Sequence, residues 1–228
     1  MFFLRPMQDW KRSFYAILVA ETVATIGFNT GVPILPFFIR DVGVRDPAQL
    51  KVWVGASATL YSVSMFLLAP VWGQLADSRG RRLMFLRALA CGMVVTAATG
   101  AANRPWEILV LRALLGALTG TVSAAAVMVS TISPRERLGF TLGMLQTGIY
   151  AGASLGPALG GFLSDLVGYR RTYYISAFLV LIAVLIVARF VDRDTPSGAR
   201  SCKSSEGSSR STSTSVLSIS ALSRAGST

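Results

Sequence analysis

The sequence predicts an all-α integral membrane protein built as a bundle of six transmembrane helices. Its 228 residues are 52% hydrophobic and only 14% charged. The apolar residues form nearly continuous runs of about 18–25 residues, the length needed to span roughly 30 Å of hydrocarbon. Soluble domains show amphipathic periods with charged faces instead. The length of the runs and the scarcity of charge therefore favour a membrane bundle.

Six apolar runs follow one another within residues 14–194, after a short basic segment, residues 1–13. Pro33 and Pro36 are expected to loosen the first helix near its outer end. An even number of spans places both ends of the bundle on the same side of the membrane. The predicted spans are Phe14–Phe38, Trp53–Trp72, Leu83–Ala101, Glu107–Val129, Phe140–Leu163 and Tyr173–Phe190.

The basic residues indicate the orientation. Ten Lys and Arg residues lie near the span ends on the side of the termini and six on the opposite side, which favours a cytoplasmic location for both ends. The net charge of +11 is spread over short links. It forms no long basic face, so we expect no nucleic-acid partner.

The composition changes abruptly near residue 195. Residues 195–228 are rich in Ser, Thr and Gly and have no aromatic side chain. Such a segment cannot bury enough apolar surface to fold, so it is predicted to be a disordered cytoplasmic tail. It does not resemble the second half of a carrier.

A polar link of ten residues, Gly73–Arg82, separates the second and third spans. Gly73 and Gly80 are expected to let the backbone turn there. A simple cytoplasmic loop would explain the arginines. The order G-x-L-A-D-x-x-G-R-R, however, resembles the signature loop between helices two and three of the major facilitator superfamily. The resemblance implies a gating loop that consists of Gly73, Asp77, Arg79, Gly80, Arg81 and Arg82, with partners partly in a second half.

The fifth span carries a glycine pattern. Gly152, Gly156 and Gly160 recur every four residues and leave one helix face without side chains, so that another backbone can approach closely. Ordinary tight helix packing would also explain this face. The whole pattern resembles the antiporter motif of drug:proton antiporters within the superfamily, which implies export. The motif positions are Gly143, Gly152, Gly156, Pro157, Gly160 and Gly161.

Two ionisable residues inside spans, Glu21 and Arg112, are candidates for proton coupling, because buried charge in a membrane is costly and usually functional. Leu109-x2-Arg112-x3-Gly116 resembles the fourth-helix motif of the same antiporters, although Leu115 stands where the family often has glutamine. Alternatively, Arg112 extends to the outer interface, and Glu21 reaches back to Lys11 or Arg12. The two residues enter from opposite membrane faces and are not expected to pair.

Asn29, Gln146 and Tyr150 are candidates for lining a polar cavity, although each is individually typical of helix contacts. Asn29 is expected to lie close to Arg112 in depth. The sequence contains no catalytic triad, phosphate loop or metal-ligand cluster. We therefore expect neither an enzyme nor a cofactor, and the driving force implied by the resemblance is a proton gradient.

The resemblance covers about residues 10–194 and corresponds to the amino-terminal six-helix half of a multidrug efflux antiporter. It implies a multi-pass protein of the bacterial inner membrane that uses alternating access. Its partners would be the lipid bilayer, a small amphipathic or cationic drug and a missing carboxyl-terminal half. Without that half, the glycine face and the loop Gly73–Arg82 would lack their partners. The alternatives are a carrier of the same fold for a sugar or small metabolite, and an inactive membrane fragment from premature termination or a frame shift.

Overall fold

The computed structural model describes the backbone of residues 6–191 and the side chains of this range except those of residues 6–9 and 76–79. The predicted tail, residues 195–228, lies outside the described residues. Within the described range, eight α-helices and one 3₁₀ turn, Arg135–Arg137, follow one another without a strand. The helices are α1 Pro6–Thr30, α2 Leu35–Asp41, α3 Pro47–Arg79, α4 Arg81–Ala101, α5 Pro105–Leu118, α6 Thr121–Ile132, α7 Leu138–Val167 and α8 Tyr169–Phe190.

These helices confirm the predicted all-α membrane fold. Four segments of the described chain are long and apolar enough to cross a bilayer: Pro47–Leu75, Arg81–Ala101, Pro105–Ile132 and Tyr169–Phe190. The pair Trp10–Thr30 and Leu35–Asp41, bent by 42°, provides a fifth segment if it is taken as one span. The remaining predicted span is α7, whose 30 residues are long enough at about 1.5 Å per residue. Its Gly, Ser, Thr, Gln and Tyr residues interrupt the apolar run.

The first span breaks where its prolines predict. Helix α1 ends at Thr30, a turn follows over residues 31–34, and Pro36 lies in the first turn of α2. Proline fixes its own backbone and clashes with the preceding helical turn, which explains a break in this position. The break confirms the effect expected of Pro33 and Pro36.

The signature segment differs from the predicted loop. Gly73 lies inside α3, which continues to Arg79, so the expectation of a turn at Gly73 was wrong. Gly80 alone separates α3 from α4, and its φ of +95° lies in a region that glycine adopts without strain. Glycine permits a turn but does not require one, and a helix tolerates it in its interior at a cost of about 1 kcal/mol. Only the turn at Gly80 is as expected.

Helix α1 lies at the centre of the bundle and packs mainly against α7 and α8. Helix α4 packs on α8, and α3 packs on α5. The main core joins α1, α4, α6, α7 and α8, and Ile17, Phe85, Leu89 and Met128 are almost fully buried in it. Helix α3 touches this core little, and a gap remains between α3 and α6.

Candidate functional site

A cavity of about 370 Å³ lies between α1, α3 and the α5–α6 pair. Its walls combine aromatic and aliphatic side chains with hydroxyl and amide groups. Among the described residues that line it, Arg112 is the one with a charged side chain. A pocket of this kind suits an amphipathic small molecule. The polar lining residues are Thr25, Asn29, Ser57, Tyr61, Ser62, Arg112, Thr119 and Thr121.

Arg112 contacts Tyr173, a residue of α8. The buried hydroxyl of Tyr173 donates a hydrogen bond to the backbone oxygen of Gly31 (3.2 Å), and Arg112 interacts with the same hydroxyl. The Arg112 Nε is buried and has no hydrogen-bond partner among the described residues. Tyr173 thus connects the cavity arginine to the break in the first span. Sequence reasoning missed Tyr173, since its contacts are 61 and 142 residues away along the chain.

Glu21 turns into the bundle and not toward Lys11 or Arg12. Its side chain is fully buried, and its Oε1 accepts a hydrogen bond of 3.0 Å from the Thr121 hydroxyl. Its Oε2 is buried and has no partner among the described residues. Thr121 lines the cavity, so the carboxyl group lies directly behind the cavity wall. Among the described side chains no ion pair joins Glu21 to Arg112, in line with the different depths expected of them.

The fourth span is broken at Thr119 and Gly120, between α5 and α6. Two side chains from other helices bind the end of α5: the Trp72 Nε1 donates to the Ala117 oxygen (2.6 Å), and an Arg87 nitrogen donates to the Leu118 oxygen (3.5 Å). The Arg87 guanidinium also lies 3.6 Å from the centre of the Trp72 ring. These contacts satisfy carbonyls that a broken helix leaves open. A threonine–glycine pair inside an apolar run was the available sequence signal for this break.

The glycine face of α7 packs against α1. A Cβ added to Gly152 would lie 2.8 Å from the Thr22 oxygen, and one added to Gly156 would lie 2.7 Å from the Asn29 Cβ. A Cβ on Gly160 would collide with the backbone of Thr30. The expectation that this face lacks its partner in this chain was therefore wrong, because α1 supplies it. Helix α7 runs through Pro157 without interruption. A Cβ added to Gly143 or Gly161 would meet no atom of the described residues within 4 Å.

The described arginines of the signature segment also find partners within the bundle. Arg81 donates to the hydroxyl of Thr131 at the end of α6, and Arg82 donates to the Ala188 oxygen (2.9 Å) in the last turn of α8. Cationic side chains stabilise helix carboxyl ends. The expectation that the whole segment lacks partners was thus wrong for Arg81 and Arg82. The side chains of Asp77 and Arg79 lie outside the described residues.

The three predicted cavity residues lie in different places. Asn29 lines the cavity, as Arg112 does, and its amide donates to the Thr25 oxygen (2.9 Å). Gln146 and Tyr150 are exposed on α7 and line no cavity identified among the described residues. No group of three or more Cys, Asp or Glu side chains in the described part of the chain is arranged to hold a metal ion.

The sequence profile of the Major Facilitator Superfamily matches residues 17–226. The chain belongs to the major facilitator superfamily. This is a family of membrane transporters, and the helical bundle described above corresponds to about one half of such a fold. The match and the apolar helices indicate a multi-pass protein of the lipid bilayer.

The chain aligns with about half the length of individual relatives. The chain is 34% identical over 192 residues to multidrug resistance protein MdtG of Proteus mirabilis, which covers 84% of this chain and 48% of the relative. It is 37% identical over 190 residues to MdtG of Escherichia coli O81, with 83% and 46% covered. The chain therefore spans about half the length of the curated relatives it matches. These bacterial relatives support location in the inner membrane.

A solved structure of the same superfamily shows the same fold. The crystal structure of the human organic anion transporter MFSD10 (TETRAN) matches with a TM-score of 0.69 over 81% of this chain and 48% of that chain. At 18% identity this likeness concerns the fold alone. Both comparisons agree that the bundle is one half of a major facilitator fold.

Proposed function

We propose that this bundle forms one half of a proton-coupled multidrug exporter and that Glu21 carries the proton. The observation that carries the proposal is the fully buried Glu21 carboxyl group, which is one hydrogen bond behind the wall of a cavity. A charged carboxylate in such a place is costly without a counter-charge. Binding a proton at one carboxylate oxygen removes the charge, and releasing it restores the charge. Glu21 is therefore suited to a transport cycle in which the proton and the substrate alternate.

The relatives support the export of drugs. The MdtG proteins of Proteus mirabilis and Escherichia coli are named multidrug resistance proteins, and the glycine pattern on α7 resembles the antiporter motif. No comparable observation favours a sugar or metabolite carrier. The absence of a recognised catalytic group in the sequence is the basis for proposing transport without enzymatic activity.

The residues that line the cavity indicate which compounds it can bind. Its polar and apolar walls fit amphipathic compounds. Among the described residues that line it, Arg112 carries the charge, and that charge is positive. A cationic compound would meet like charge in this half of the carrier. We propose neutral or anionic amphipathic compounds as ligands of this cavity, and of the expected amphipathic or cationic drugs we do not retain the cationic ones.

Alternating access needs a second six-helix body that rocks against this one around a shared site. We propose that the functional unit contains such a body, since this chain matches about half of each relative. A fusion of residues 1–194 to the carboxyl-terminal half of an MdtG protein is the simplest version to test. An inactive fragment remains the alternative if the fusion does not transport.

The fusion protein can be tested in liposomes with an imposed proton gradient and a panel of fluorescent amphipathic dyes that are neutral, anionic or cationic. We expect gradient-driven movement of a neutral or anionic dye, lost in Glu21→Gln. Glu136→Gln is the matched control, because Glu136 is exposed in the 3₁₀ turn, and it should transport normally. Undiminished gradient-driven movement in Glu21→Gln would refute the role of Glu21.

A further inference from the structure

The break in the fourth span brings the beginning of α6 to the buried carboxyl group of Glu21. Gly120 has a φ of +152°, a conformation that side-chain-bearing residues rarely adopt, and Thr121 is the first residue of the new helix. The first hydrogen bond of α6 joins the Ala124 nitrogen to the Gly120 oxygen (3.1 Å). The amide groups before Ala124 therefore lack partners within the helix. The helix presents partial positive charge at this end.

The contact at Glu21 is a single, fully enclosed hydrogen bond. The Thr121 hydroxyl donates to Glu21 Oε1 over 3.0 Å; Glu21 is 0% exposed and Thr121 is 6% exposed. The second carboxyl oxygen has no partner among the described residues. Helix α6 carries no ionisable side chain. It therefore interacts with Glu21 through the Thr121 hydroxyl and the partial positive charge of its amino-terminal end.

The carboxyl-terminal end of α5, on the other side of the break, is stabilised by its own hydrogen bonds. Trp72 and Arg87 bind the last carbonyls of α5, and the Thr119 hydroxyl donates to the Leu115 oxygen. These contacts keep the end of α5 in place without using Thr121. The Thr121 hydroxyl therefore has no evident role in closing α5.

We propose that Thr121 is a positioning residue for Glu21, deepening the proposed function, on which it rests. A hydroxyl has one donor and two acceptor positions. While it donates to the carboxyl group, the Thr121 hydroxyl can accept a hydrogen bond from a group in the cavity that Thr121 lines. It thus orients the carboxyl group and connects it to the cavity through one side chain. The break at Gly120 makes Thr121 the first residue of α6 and places its hydroxyl beside Glu21.

Four substitutions separate this role from simple packing. Thr121→Val keeps the shape and removes the hydroxyl, and Thr121→Ala is a smaller second variant should valine disturb folding. Thr121→Ser retains the hydroxyl and should behave as the wild type. Ser130→Ala is the matched control on the same helix, because the exposed Ser130 donates to the Val127 oxygen of its own helix.

Infrared difference spectroscopy on the purified 228-residue chain in lipid, recorded across a pH step, measures the contact without any transport assay. The bands of the Glu21 carboxyl and carboxylate groups are identified by their loss in Glu21→Gln. We expect these bands to shift in Thr121→Val and Thr121→Ala, with the carboxyl C=O band moving to higher wavenumber because a donor is lost. They should stay in place in Thr121→Ser and Ser130→Ala. Unshifted bands in both hydroxyl-free variants, or an equal shift in Ser130→Ala, would overturn the proposal.

Transport by the fusion protein provides the second readout. We expect Thr121→Val to lose gradient-driven dye movement at least tenfold while still binding the dye, and Thr121→Ser to restore it. If the wild-type fusion does not transport, the proposed function fails, and the infrared result still decides whether Thr121 positions Glu21. If the wild-type fusion transports and Thr121→Val transports equally well, the positioning role fails on its own.

Discussion

Gly156 of α7 and Asn29 of α1 lie so close that a Cβ on Gly156 would be only 2.7 Å from the Asn29 Cβ. The same added atom would lie 2.9 Å from the Ile26 oxygen. The two helices therefore meet backbone to backbone at this point, as small residues allow in membranes. Since Asn29 also lines the cavity, the glycine face sets the position of one cavity wall.

Gly156→Leu should separate α7 from α1 and lower the free energy of unfolding by about 1–3 kcal/mol, the usual range for overpacking. Thermal unfolding of the purified chain in detergent measures this effect. Gly161→Leu is the matched control, because a Cβ at Gly161 meets no atom of the described part of the chain within 4 Å. Equal unfolding temperatures for Gly156→Leu and the wild type would show that this contact does not hold the helices together.

Trp72→Phe should lower the free energy of unfolding by about 1–3 kcal/mol, because the Ala117 oxygen loses its donor. The phenylalanine ring keeps most of the packing and a surface for Arg87, so the loss reports mainly the hydrogen bond. Trp106→Phe is a suitable comparison, since Trp106 is 52% exposed. An equal change in both variants would contradict a specific role of Trp72 at the end of α5.

Tyr173→Phe should lower the free energy of unfolding by about 1–3 kcal/mol, because the Gly31 oxygen loses a buried hydrogen-bond donor. Tyr174→Phe, at the neighbouring and 48% exposed position, should cost much less. Chemical unfolding monitored by fluorescence compares the two variants. If Tyr174→Phe proves the more damaging change, Tyr173 does not anchor this part of the bundle.

Cysteine accessibility tests the predicted orientation in cells. In a background with Cys91 and Cys202 replaced by serine, cysteines at positions 42 and 168 should react with a membrane-impermeant reagent added from outside. A cysteine at position 78 should react only after the membrane is opened. External labelling at position 78 would contradict a cytoplasmic location of both termini.

Much of the fold could be predicted from local sequence. The apolar runs and the break at Pro33 and Pro36 follow from residues adjacent in the chain. The breaks at Gly80 and Gly120 have glycines with positive φ in the structure, but only the one at Gly80 was predicted. An isolated glycine inside an apolar run, such as Gly120, is compatible with a continuous helix. Its conformation depends on tertiary contacts of both new helix ends.

The sequence predicted polar residues that belong to the candidate site, but not which residues they contact. Glu21, Asn29 and Arg112 were recognisable as polar residues within spans, but their partners are distant in sequence. Thr121 lies 100 residues from Glu21, and no local pattern connects the two. The same holds for Arg82 and the Ala188 oxygen, which are 106 residues apart. Partners of this kind follow from the packing of whole helices.

The most direct test of the account compares the 228-residue chain with its fusion to an MdtG carboxyl-terminal half, in liposomes with the same proton gradient and the dye panel. We expect no gradient-driven dye movement by the chain alone, because one six-helix body provides only one wall of an alternating-access site. The fusion should move a neutral or anionic dye and lose this activity in Glu21→Gln. Gradient-driven dye movement by the 228-residue chain alone, or undiminished movement by the fusion carrying Glu21→Gln, would contradict this mechanism.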